Sequence, residues 1–482
     1  METTAPEGCP HGEEQTRTRN TSCMNAIDST PGSSALSGTA LVNFIAGIAA
    51  TGGLLFGYDT GIISAALLQI TREFSLGTMG QQIVTSAIIA GAFVGCISAA
   101  PLSDWKGRRR MIILAAAIFL TGTAIAALAH SVVVLTLARF ILGLAVGASS
   151  QIVPIYIAEV APSSRRGRLV VLFQLAVVSG VFISFIAGYL LRNHSWRVMF
   201  GLGAVPALFL LFGMVFLPNS PRWVAMKGDI HGAREILRKV RSTRQAAERE
   251  LAEIIDAHDV QAPWSELRKP WVRPALIASV GVGLLCQLTG INAVLYYAPT
   301  IFAGVGFGEN SALLTSVAIG VAMIIATVFG SWAVDVIGRR KLMLCMIPGA
   351  GISLALLAGI LTLNSNPSGA AGWVMIAAVV GYAIFNVGSL SVAVWLVGAE
   401  VYPLSCRGKG MSLVAASHWG ADLVISLTTL SFVEAMGAAG AFWLFAAINI
   451  AAFFFVLRYV PETRGRSLEE IEASLRNGTF AP

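Results

Sequence analysis

Apolar residues in this chain come in long unbroken runs, without the alternation of a half-buried strand or the single stripe of a soluble helix. A membrane-spanning helix needs roughly 20 mostly apolar residues. Twelve such runs start near Leu41, Gln81, Met111, Val132, Leu169, Val198, Pro274, Leu313, Leu342, Trp373, Gly410 and Gly440. Most end at glycine, proline or charge, the usual punctuation of helices. The pattern predicts an all-α membrane protein of twelve transmembrane helices. Three polar segments flank or separate the runs. Residues 1–38 are rich in Thr, Ser, Gly and Glu and hold no apolar stretch suited to a cleavable signal, so they read as a disordered tail. Residues 218–272 form the one long insert, and 461–482 a second tail. Within the insert, GDIHGAREILRKVRSTRQAAEREL places opposite charges three or four apart, which predicts one or two solvated helices. The domains expected are thus 39–217 and 273–460, joined by the linker 218–272.

Composition points to the same solvent. Hydrophobic residues make up 55% and charged residues 12% of the 482, and the mean hydropathy is +0.73. Soluble domains carry roughly 25% charged residues. A net charge of +7 raises the question of nucleic acid. The placement of the charges answers it. Basic residues cluster at 104–110, 163–168, 218–273, 338–341 and 406–410 and in both tails, all on one side of the predicted helices. Only Arg72, Arg192 and Arg197 fall on the other side, and Arg139 lies inside the fourth run. The positive-inside bias puts both termini and the linker in the cytoplasm, with the lipid bilayer and not nucleic acid as the partner. Of six cysteines, Cys96, Cys286, Cys345 and Cys406 lie in or beside apolar runs, where a thiol serves as a small hydrophobe. Cys9 and Cys23, with His11 between, have no metal-site spacing, and no cofactor or metal is expected.

The two halves repeat. Asp104-Trp-Lys-Gly-Arg-Arg recurs as Asp335-Val-Ile-Gly-Arg-Arg, and Ala158-Glu-Val-Ala-Pro with Arg166-Gly167 recurs as Ala399-Glu-Val-Tyr-Pro with Arg407-Gly408. Two six-helix halves in parallel repeat favour alternating access around a site between them, hence a carrier over a channel or a membrane enzyme.

From about Leu41 to Glu470 the chain resembles the sugar porter family of the major facilitator superfamily. The resemblance rests on GGLLFGYDTGIISAAL (52–67), the two D-x-x-G-R-R loops, the two glutamate–arginine motifs, PNSPRW (218–223), QLTGINAVLYYAP (287–299) and PETRGRSLEE (461–470). It implies a twelve-helix fold in two pseudo-symmetric bundles and transport of monosaccharides or polyols, by proton symport in many microbial members and by facilitation in others. Three departures concern the substrate. Cys286 stands where the family usually has a first glutamine, the tenth helix reads SVAVW (391–395) without a proline, and the eleventh carries His418 and Asp422 in place of neutral amides.

Asp59 is the charge that lipid burial should forbid, at about 2.5–3.5 kcal/mol on insertion scales. At 1.5 Å per residue it lies roughly 16 Å below the outer end of the first helix, and Arg139 lies about 11 Å below the outer end of the fourth. The depths predict that they face each other. The pair is either structural or a proton relay, in which Asp59 is ionised beside Arg139 and takes a proton when moved away from it. The resemblance implies the relay, because proton symporters keep this aspartate and uniporters carry a neutral residue.

Glu159 and Glu400 end the fourth and tenth helices, with Arg108, Arg166, Arg339 and Arg407 at neighbouring boundaries. Such charges can latch the halves when the carrier faces outward; the alternative is that the arginines are topology signals only. Sugar hydroxyls need donors and acceptors together, which amide side chains supply. Gln287 and Asn292, around Gly290, with Tyr296 and Tyr297 beyond, form a candidate sugar site, and the resemblance adds Gln174 and Trp395. His418 and Asp422 share a helix face beside Trp419. Either they bond each other, or they bond a hydroxyl-rich substrate on which Trp419 stacks. The leading expectation is a proton-coupled importer of a hexose, pentose or inositol, active as a monomer in the plasma membrane. Its rivals are a facilitator of the same fold and a transporter-like nutrient sensor, the latter disfavoured by the short C-terminal tail.

Overall fold

Hydrocarbon offers the backbone no hydrogen-bond partner, so a spanning segment must satisfy its own amides, and each predicted run is helical. The computed structural model describes residues 38–256, 263–306, 308–364, 369–403 and 405–480. The expected N-terminal tail, including Cys9, His11 and Cys23, lies outside the described residues.

The first six spans are Gly38–Phe74, Thr78–Lys106, Arg108–Ala127, Val132–Val160, Ser163–Leu190 and Trp196–Phe216. The next four are Arg273–Ala303, Glu309–Val336, Arg339–Leu363 and Ala370–Glu400. The last apolar stretch, Arg407–Tyr459, is one continuous helix by hydrogen bonding. Gly437 breaks it with φ 74° and ψ 166°, a backbone setting that favours glycine, and so divides it into the eleventh and twelfth spans. The eleventh therefore runs on to residue 436, and the break falls three residues before the expected start near Gly440.

Between the halves the linker forms three short α-helices among the described residues, Pro221–Met226, Ile230–Val240 and Arg244–Asp256, and a 3-10 turn, Trp264–Arg268; the charged stretch 228–251 falls in two of the α-helices, within the one or two expected of it. Ser220 caps the first through the Trp223 amide and Asp229 caps the second through the Gly232 amide. Pro221–Met226 precedes that stretch and is short and largely apolar, so no charge periodicity announces it. Its Trp223 indole donates to the Asp104 carbonyl and packs on Gly107, tying the linker to the N-terminal half.

Within the first half, the first span packs on the fifth and the second on the fourth; in the second half, the ninth and seventh pack on the eleventh–twelfth stretch. Close approach depends on small residues. A Cβ on Gly57 would sit 1.8 Å from the Val177 carbonyl oxygen, so only glycine lets the first and fifth spans meet there. That contact sets the rotation of the helix that carries Asp59.

The halves touch through the second and eleventh spans, the fifth and eighth, and the first and seventh. Gln82 accepts from the Ser431 hydroxyl at 3.0 Å, and Arg72 pairs with Glu309. Both contacts lie toward the face opposite the basic clusters. On the basic face, ion pairs among the described residues stay within each half: Arg108 with Glu159 (3.1 Å) and Asp104 (2.8 Å), Arg339 with Glu400 (2.8 Å) and Asp335 (3.3 Å). The Thr463 hydroxyl also donates to Glu400, and Glu462 accepts from the Arg339 backbone amide, so the C-terminal motif closes on its own half. The glutamates expected to latch the halves are bonded inside them in this conformation. Arg166 is exposed, and buried Arg407 nitrogens have no hydrogen-bond partner.

Candidate functional site

Two polar clusters lie inside the spans, one in each half. In the first, Arg139 is 0% exposed and Asp59 3%. Arg139 Nη1 stands 3.7 Å from Asp59 Oδ2, an ion-pair distance beyond that of a hydrogen bond. Arg139 Nε donates to the Val84 carbonyl of the second span at 2.8 Å, and the guanidinium lies 5.5 Å from the Phe200 ring centroid. Its two terminal nitrogens and Asp59 Oδ2 have no hydrogen-bond partner. The helices thus hold the arginine by its neck while the charged ends meet only through space. A pair arranged this way neutralises charge yet can separate without first breaking a hydrogen bond.

The second cluster is built around an interruption of the seventh span. Helix runs from Arg273 to Leu288 and resumes from Ile291 to Gly304, and Gly290 between them adopts φ 100°. Here a side chain would be strained and would meet the Phe445 ring. The break frees backbone carbonyls, and neighbouring spans supply donors: Tyr382 Oη and Asn449 Nδ2 to the Thr289 carbonyl, at 2.9 and 3.3 Å. Asn386 Nδ2 donates to Thr289 Oγ1 at 2.9 Å. Thr289, Tyr382, Asn386 and Asn449 were not singled out from sequence. Two asparagines inside apolar runs are the signal that could have found the last pair, since unsatisfied amides are costly in hydrocarbon.

The broken span turns Gln287 and Asn292 onto one face. Asn292 Nδ2 donates to Gln287 Oε1 at 2.9 Å, and the Gln287 amide nitrogen donates to His418 Nε2 at 2.7 Å. With Nε2 accepting, the neutral imidazole carries its proton on Nδ1. Tyr296 Oη donates to Asp422 Oδ2 at 3.2 Å, and Tyr297 Oη to the Ser426 carbonyl at 2.6 Å. His418 and Asp422 therefore each bond the seventh span, and the direct histidine–aspartate bond considered from sequence is not made. One turn apart on a helix they are neighbours, but both side chains lean toward the broken span and its donors.

Aromatic rings surround this group. Trp395 lies 5.2 Å from His418 between ring centroids, Trp419 6.0 Å from His418, and Phe56 of the first half 5.4 Å from Trp419. Phe56 was also missed from sequence; it stands three residues before Asp59 and joins the two clusters. Gln174 is half-buried on the fifth span and forms no hydrogen bond with this group. Cys286, the departure at the seventh-span motif, donates to Ser391 Oγ at 3.9 Å. Where the tenth span lacks the family's proline it contains a π-turn, Val387–Ser391.

Three side chains in a row along the eleventh span keep a buried polar atom without a partner: His418 Nδ1, Trp419 Nε1 and Asp422 Oδ1. Two are donors and one is an acceptor, the combination that a hydroxyl-bearing ligand satisfies.

Comparison with known proteins agrees with this architecture. The family model described as "Sugar (and other) transporter" matches residues 45–475. A D-xylose transporter of Levilactobacillus brevis is 39% identical over 90% of this chain and 96% of its own length. The major myo-inositol transporter IolT of Bacillus subtilis is 36% identical over 88% of this chain and 92% of its own. Among solved structures, the partially occluded inward-open conformation of the xylose transporter XylE from Escherichia coli superposes with a TM-score of 0.77 at 25% identity, covering 89% of this chain and 100% of that one. A second structure, of the proton:xylose symporter XylE bound to 6-bromo-6-deoxy-D-glucose, gives a TM-score of 0.74 at 28% identity over 90% of this chain and 98% of that one. The chain belongs to the sugar transporter family of the major facilitator superfamily and is a multi-pass membrane carrier, not an enzyme.

Proposed function

We propose that this chain imports a monosaccharide or polyol by proton symport through alternating access. The observation that carries the reading is the Asp59–Arg139 pair, fully buried yet 3.7 Å apart and not hydrogen-bonded. Two bodies, 39–217 and 273–460, rock about a site between them, with 218–272 and 461–482 on the cytoplasmic side of the plasma membrane together with both termini. Contacts between halves at the face opposite the basic clusters support an inward-facing conformation.

Gln287, Asn292, Tyr296 and Tyr297, with His418, Trp419, Asp422, Trp395 and Gln174, receive the substrate. His418 Nδ1–H and Trp419 Nε1–H donate to its hydroxyl oxygens, and Asp422 Oδ1 accepts a hydroxyl proton. Asp59 is the proton carrier. In the outward-facing state it takes a proton from the outer solution, which frees Arg139 from its counter-charge. After the halves rock, Arg139 returns to Asp59 and the proton leaves to the cytoplasm. Substrate bound at the tyrosines and proton held at Asp59 share the boundary crossed by Phe56, which makes the two events interdependent. In the outward state Arg166 and Arg407 would complete the latch with Glu159 and Glu400. The protein works as a single chain.

The test is uptake into proteoliposomes by wild type and Asp59→Asn, with labelled xylose, glucose, arabinose and myo-inositol, with and without an inward proton gradient. Wild type should concentrate at least one of them only under the gradient. The Asn variant should lose accumulation and retain counterflow exchange, because the amide mimics the protonated carboxyl. An Asn variant that still concentrates substrate would remove Asp59 from coupling, and a wild type indifferent to the gradient would make the protein a facilitator.

A further inference from the structure

A cavity of about 410 Å³ opens at the basic end of the fifth span, lined by Asn43, Arg165, Arg168, Leu169 and Leu172. It lies apart from the transport path. A helix turns about 100° per residue, so Arg168, Leu169 and Leu172 lie roughly 120–160° around the fifth span's axis from Gln174, with Arg165 in the 3-10 turn that leads into them. Phe173 and Val177, between those faces, pack on Gly53 and Gly57 of the first span. The groove therefore looks outward toward lipid, at the level where the basic loops meet the membrane surface.

Neither the Arg165 nor the Arg168 guanidinium makes a hydrogen bond or ion pair among the described residues, and both are exposed. The internal repeat shows that this exposure is particular to the first half. By the alignment of Arg166-Gly167 with Arg407-Gly408, the counterparts of Arg165 and Arg168 are Cys406 and Lys409. In the second half the chain covers them itself. Lys409 lies over the Trp264 ring at 5.6 Å, and Cys406 is buried in a cluster with Leu267, Ile471 and Leu475. No described segment plays that part over Arg165 and Arg168. Below the arginines the wall turns apolar through Leu169 and Leu172, and Phe44, beside Asn43, is 55% exposed. Two cations above an apolar wall suit an anionic amphiphile and not a small soluble anion.

We infer that this groove binds an anionic phospholipid, its phosphate between Arg165 and Arg168 and its acyl chain along Leu169, Leu172 and Phe44. Because the groove braces the first span against the fifth, the lipid would steady the helix pair that carries Asp59. The inference does not depend on proton coupling.

Native mass spectrometry of the full chain released from nanodiscs of phosphatidylglycerol and phosphatidylcholine tests it. Basic residues near an anionic surface contribute about 1 kcal/mol each, so the double variant Arg165→Gln/Arg168→Gln should retain phosphatidylglycerol roughly tenfold or more weakly, with phosphatidylcholine unchanged. Asn43→Trp, which fills the groove from the first span, should give the same loss. Arg222→Gln/Arg244→Gln removes equal charge from exposed linker positions and should behave as wild type. Undiminished phosphatidylglycerol in the Arg165/Arg168 variant overturns the site, as does an equal loss in the linker variant. Displacement of the lipid by millimolar inorganic phosphate would assign the groove to a free anion and overturn it too.

Discussion

The two halves share a fold and a set of charged motifs, yet their interiors differ in kind. The first half buries a full ion pair, Asp59 with Arg139, whose facing ends are without hydrogen bonds. Inside the second, the His418 imidazole and two amides are hydrogen-bonded in a row and the Asp422 carboxylate accepts from Tyr296, with no ion pair among the described residues. On the basic face the comparison reverses. Arg108–Glu159 and Arg339–Glu400 are nearly the same interaction made twice. Duplication preserved what holds each bundle together at the surface and allowed the buried chemistry to diverge. An unbonded charge pair is suited to gain and lose a proton, and a bonded polar group is suited to exchange its partners for hydroxyls.

The sharpest way to break this contrast is to remove the cation. Arg139→Met strips Asp59 of its counter-charge, and breaking a buried pair costs about 3–5 kcal/mol, whether as burial of a lone carboxylate or as the work of protonating it. The variant should melt far below wild type or fail to accumulate in the membrane. Asp59→Asn added to it should recover much of the loss; a double variant no more stable than Arg139→Met would mean that the pair is not what the arginine serves.

A smaller effect is expected in the second half. Gln287→Ala removes the link between Asn292 and His418. A lost hydrogen bond with a buried partner left unsatisfied costs about 1–3 kcal/mol, so substrate affinity should fall roughly tenfold or more while the melting curve moves little. An unchanged dissociation constant would take Gln287 out of the site.

His418→Gln is gentler still. Glutamine keeps an acceptor for the Gln287 amide but replaces the Nδ1–H donor with a flexible amide, so total uptake should survive while the ranking of xylose, glucose and myo-inositol changes. An identical ranking in a well-expressed variant would leave His418 a structural role only.

The smallest effect belongs to the linker. A hydrogen bond from Arg238, then the nearby Arg234, holds the Glu248 carboxyl below its usual 4.5. A folded-state value below the unfolded one stabilises at neutral pH, and this is lost as pH falls through the carboxylate range. Exposed pairs contribute little. Glu248→Gln should therefore slightly quicken proteolysis within 230–256 at pH 7 and make no difference near pH 3. Equal cleavage at both pH values would show that the pair does not hold the linker.

Twelve spans, their order, the basic face and the duplication were all legible in the chain, because lipid imposes a one-dimensional rule: long apolar runs cross and basic loops stay on one side. Depth along each axis was legible for the same reason, since rise per residue is constant, and it placed Asp59 opposite Arg139. Rotation about the axis was not. Each residue turns a helix by about 100°, so small shifts set by glycine contacts such as Gly57 on Val177 decide what a side chain faces. That is why His418 and Asp422, neighbours in sequence, bond the seventh span and not each other. It also explains why Asn386 and Asn449 escaped notice until the break at Gly290 supplied the groups that needed them. Local pattern alone determined which segments cross the membrane and in what order. Which polar atoms meet inside depended on how twelve helices rotate against one another, a property of packing that no single stretch of sequence contains.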